Sequence, residues 1–175
     1  HNFARGGTQT EVALSSLPIS ISSIHDFAKS PAIVITDFSV NDAYEIEGNL
    51  GHNSALDGHI TLYDKGAALG ETLIRMIKSL PKLTRFTHHD PFPVLHIMIL
   101  SHCPRCVNDE GLMDGFAAAA QFHAIPTLDL RQLWPKYWEP HKTHPDFRTH
   151  QLVAELLASA LFTSSHRPCS GDIDQ

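Results

Sequence analysis

Two clusters in this sequence have the residue types of metal or redox chemistry, and three loops have those of polar catalysis. Cys103-Pro-Arg-Cys106 spaces two thiols as a C-x-x-C pair, and the one other cysteine is Cys169. A structural zinc takes four ligands, so the pair fits a local disulfide, a redox couple or two ordinary thiols better than zinc. His88-His89-Asp90 offers metal-binding side chains. It precedes Pro91 and Pro93, in a loop without the periodicity that would converge those side chains on one ion. No metal and no cofactor is expected. The loops are Asn2…Gly6-Gly7-Thr8, Ser39-Val40-Asn41-Asp42 and His144-Pro145. Singly, each has a purely structural explanation. Paired glycines make tight turns, Asn and Asp serve turns and helix caps, and a loop histidine is well solvated.

What must position these loops is a set of alternating helices and strands. Residues 31–38, Pro-Ala-Ile-Val-Ile-Thr-Asp-Phe, form a continuous apolar run, as do Val94–Leu100. Such runs mark strands buried on both faces of a parallel sheet. Ile125–Leu130 makes a short third strand. Helical spacing predicts a helix within Thr10–Lys29, with Ile21, Ile24, Phe27 and Ala28 at helical intervals and Pro18 suited to a first turn. A second helix is predicted over Lys65–Leu80, with the stripe Leu69, Leu73, Met76, Ile77 and Leu80. A third covers Asn108–His123, presenting Leu112, Met113, Phe116, Ala117 and Ala120. The last runs from Pro145 to Phe162, with Leu152, Val153, Leu156, Leu157, Ala160 and Leu161 as its buried face. Asn49–Gly58 and the aromatic stretch Trp134–Pro140 are loops, and Thr163–Gln175 is a polar tail. This alternation predicts an α/β fold with a parallel sheet, in which ligands bind beyond the carboxyl ends of the strands. The loop after the first strand is Ser39–Asp42.

Composition narrows the function classes. The 175 residues include 13 Lys plus Arg against 19 Asp plus Glu, a formal charge of −6 with no basic run. Nucleic acid is therefore not an expected partner. No apolar stretch reaches the roughly 18 residues that span a membrane. With 42% hydrophobic residues the chain has material for one core.

In order and setting, the three loops resemble the sequence blocks of the SGNH hydrolase superfamily, the GDSL-type esterases and lipases. Gly6-Gly7-Thr8 resembles the block with an oxyanion glycine. Ser39-Val40-Asn41-Asp42 resembles Gly-x-Asn-Asp after a strand. His141-Lys142-Thr143-His144-Pro145 resembles Asp-x-x-His-Pro before the final helix. The resemblance covers residues 2 to about 162. It implies a three-layer α/β/α sandwich with a parallel sheet, the flavodoxin-like fold of that superfamily. It also implies hydrolysis of an acyl or acetyl ester, with a small-molecule or carbohydrate ester as substrate. In that chemistry a serine attacks the carbonyl, and a histidine takes and returns its proton. The residues implied are His144 as general base, the Asn41 amide and the Gly6 N–H as oxyanion donors, and the acid discussed next.

Two positions depart from the pattern. No serine here follows Gly-Asp or lies in Gly-x-Ser-x-Gly. The expectation is an SGNH-like domain over residues 1–162 whose first strands and nucleophile lie upstream of His1. An apolar sheet edge would then be exposed at residues 31–38. Position 141 is His where the pattern has Asp. Glu139 is the nearest substitute as the triad acid. The alternative expectation is a non-catalytic SGNH-like module that binds carbohydrate.

Overall fold

The computed structural model of the protein describes residues 10–22, 32–37, 42–43, 60–83, 94–101, 109–131 and 147–165. They form a mixed α/β unit with helices α1 (Thr10–Ser22), α2 (Leu62–Leu83), α3 (Asp109–Phe122) and α4 (Phe147–Ser165). The strands are β1 (Ala32–Thr36), β2 (Val94–Leu100) and β3 (Thr127–Asp129). They pair in the order β1-β2-β3, all parallel, with Thr36 opposite Met98 and Leu100 opposite Asp129. Both crossovers step the same way across the sheet. The right-handed rule for β-α-β units then places α2 and α3 side by side on one face. Their core confirms it: Leu73, Ile74, Ile77 and Leu80 of α2 and Leu112, Met113 and Phe116 of α3 are buried with Met98 and Leu100 of β2.

The two helices lie unusually close. A β-carbon on Gly66 would stand 2.0 Å from the Leu112 carbonyl oxygen, and one on Gly115 would stand 2.2 Å from that of Tyr63. Glycine is needed here because backbone meets backbone. The start of α2, three residues ahead of the expected Lys65, has a local cause. Thr61 and Asp64 form a capping box: the Asp64 N–H donates to Thr61 Oγ1 (3.1 Å), and the Thr61 N–H donates to Asp64 Oδ2 (2.9 Å). The bonds that Asp64 accepts from the Thr61 hydroxyl and N–H hold its carboxyl below the usual range.

Two other expectations need correction. Pro18 is not in a first turn but inside α1, which begins at Thr10. The reason is a tertiary cap, given below. The stripe on α4 is half-buried, with Ala160 exposed, and the helix continues to Ser165, into the stretch expected to be tail.

Two residues past the end of helix α3 comes Ala124, whose φ of 54° is left-handed. The Ala124 N–H donates to Gln121 (3.1 Å) and the Ile125 N–H to Ala120 (2.8 Å), closing the last turn. This C-terminal position normally falls to glycine, because a β-carbon costs about 1 kcal/mol in that conformation. Ala124→Gly should raise stability by up to about 1 kcal/mol, a gain that urea unfolding would register.

The exposed apolar edge expected at residues 31–38 is present. β1 is the edge strand among the described residues, and Ile33 and Ile35 are 54% and 47% exposed. Leu95, paired with Ile33, is 40% exposed, so the three make one patch on the face away from α2 and α3. No described helix is long and apolar enough to cross a membrane.

Candidate functional site

The carboxyl ends of the three strands gather the polar groups that matter. After β1 comes Asp37, after β2 the buried Ser101, and at the end of β3 Asp129. Ser101 Oγ donates to Asp37 Oδ2 at 3.3 Å, bridging the ends of adjacent strands. Asp37 keeps exposed surface, yet desolvation by the protein around it pushes its carboxyl up to about 6, the Ser101 bond opposing part of the rise.

Five residues beyond Asp37, Asp42 is buried and bonds to the start of α1. The Thr10 N–H donates to Asp42 Oδ1 at 2.8 Å, and the Thr10 hydroxyl donates to Oδ2 at 2.6 Å. Asp42 does cap a helix, but one that lies 32 positions earlier in the chain. An aspartate at a helix N-terminus satisfies an orphan N–H and complements the helix dipole. This cap sets the start of α1 at Thr10 and leaves Pro18 in its interior. Burial raises the Asp42 carboxyl from its ordinary value, and the negative charge of Glu11 adds to that, while the two Thr10 bonds pull it down. The two bonded residues are also the sequence neighbours of two of the three loops singled out above. Asn41 immediately precedes Asp42, and Gln9 alone separates Gly6-Gly7-Thr8 from Thr10.

Asn41, Gly6, His144 and Glu139 themselves lie outside the described residues, as do Gly7, His141, His88–Asp90 and all three cysteines. Among the described residues no group of three or more His, Cys, Asp or Glu side chains is placed to hold a metal ion.

The last strand end is stapled by an ion-pair cluster. Arg131 makes paired bonds to Asp129 (2.7 Å from Nη2 to Oδ2) and reaches Asp114 on α3 at 2.7 Å. Burial works to raise the Asp129 carboxyl, but the bonds from Arg131 outweigh it and leave the group below its ordinary value. With its guanidinium so engaged, Arg131 serves to fix β3 against α3.

Sequence reasoning missed Asp37, Ser101 and Thr10, and also His96. That histidine is buried in β2 and shares a 2.9 Å hydrogen bond with Thr36 Oγ1 through Nε2, while Nδ1 has no partner among the described residues. Desolvation, with the positive charge of Lys78, lowers its pKa from 6.5 to about 4. The folded state thus holds His96 neutral where the unfolded chain would protonate it. The stability this provides is complete above pH 6.5 and is lost as pH falls from there to about 4. Asp37 acts oppositely, since its raised pKa favours folding as pH falls. Comparison with His96→Gln isolates the histidine: between pH 6.5 and 4 the unsubstituted protein should lose about 3 kcal/mol more than the variant in urea melts.

Compared with known proteins, the chain matches no family model, no curated protein and no solved structure.

Proposed function

We propose that the protein is a serine esterase of the SGNH type, hydrolysing acyl or acetyl esters of small molecules or carbohydrates. The observation that carries this reading is the pair of hydrogen bonds that Thr10 donates to Asp42. It ties the residue after Asn41 to the start of α1, two positions beyond the Gly6-Gly7-Thr8 sequence. An asparagine amide and a glycine N–H in neighbouring loops are the donor types an oxyanion requires. The loop follows the carboxyl end of a parallel strand, where such sheets bind ligands. In this reading His144 is the general base, and Glu139 holds its imidazolium in place of the acid missing at position 141. The nucleophile in this reading is the serine of a Gly-Asp-Ser segment, which these 175 residues do not contain. The sheet then continues past β1, as the three-layer sandwich of that superfamily requires.

The test is hydrolysis of p-nitrophenyl acetate by the protein extended upstream of His1, beside its Asn41→Ala variant. Loss of one oxyanion donor should lower kcat by about 100- to 1,000-fold. If the variant hydrolyses the ester as fast as its parent, Asn41 is not an oxyanion donor and the esterase reading fails.

A further inference from the structure

We draw no further inference here: the strongest candidate, the exposed apolar patch of Ile33, Ile35 and Leu95 on the sheet face away from α2 and α3, carries nothing because nothing in the structure shows what covers it.

Discussion

Replacement of His144 by alanine should lower ester hydrolysis by the upstream-extended protein by about 100- to 10,000-fold, the range that a positioned general base contributes. A serine hydroxyl is a weak nucleophile near neutral pH. Without an adjacent base, its attack on the ester must proceed with the proton still in place. The same imidazolium later protonates the leaving alcohol, so the variant loses both half-reactions. Initial rates on p-nitrophenyl acetate measure this directly. The role of Glu139 separates in the same assay. If Glu139 orients His144 as proposed, Glu139→Gln should retain more activity than His144→Ala. Activity equal to that of the unsubstituted protein would mean that His144 acts without a carboxylate partner.

Gly115→Ala should be among the more damaging single substitutions in the fold. The new β-carbon would lie 2.2 Å from the Tyr63 carbonyl oxygen and 2.5 Å from the Ala67 nitrogen. Both are backbone atoms inside α2, so no side-chain rotation relieves the overlap. The helices must separate, and their shared core around Leu73, Ile74 and Phe116 then loses contact. A cost of about 3 kcal/mol is expected, at the upper end of ordinary overpacking, with Tm lower by about 6–12 °C. Gly111→Ala is the control from the same helix. Its β-carbon would meet nothing closer than the Leu62 β-carbon at 3.4 Å. The gain in helix propensity, about 1 kcal/mol, should leave that variant as stable as the parent or more so. Equal losses in the two variants would show that the close approach of α2 and α3 does not set the requirement for glycine at position 115.

The elements defined by local chemistry were readable from the residues in order. β1 and β2 announce themselves as strands because both are short continuous apolar runs, but the run in β1 suggested burial on both faces whereas Ile33 and Ile35 are exposed, because no described element covers that face of the edge strand. The stripes of α2 and α3 follow from the 3.6-residue turn, and the capping box that starts α2 is a local Thr-x-x-Asp pattern. Pro18 misled because proline is a valid first-turn signal only where nothing else starts the helix earlier. Here Asp42 does, from across the chain, and no sequence window spans that distance. Part of the candidate site was legible on the same terms. Asp42 could be assigned to a strand's carboxyl end because strand and loop are adjacent in sequence, whereas Asn41 lies outside the described residues. The partners of that loop were not. Thr10 meets Asp42, Ser101 meets Asp37 and Thr36 meets His96 only once folding has brought distant segments side by side. The sequence by itself determined where the described strands and helices lie to within a few residues, which faces α2 and α3 bury, and the parallel α/β class, because hydrophobic periodicity is a property of neighbours along the chain. Only the tertiary structure decided which carboxylates are capped, crowded or neutralised and which glycines must remain glycine, because desolvation and close approach depend on distances through space.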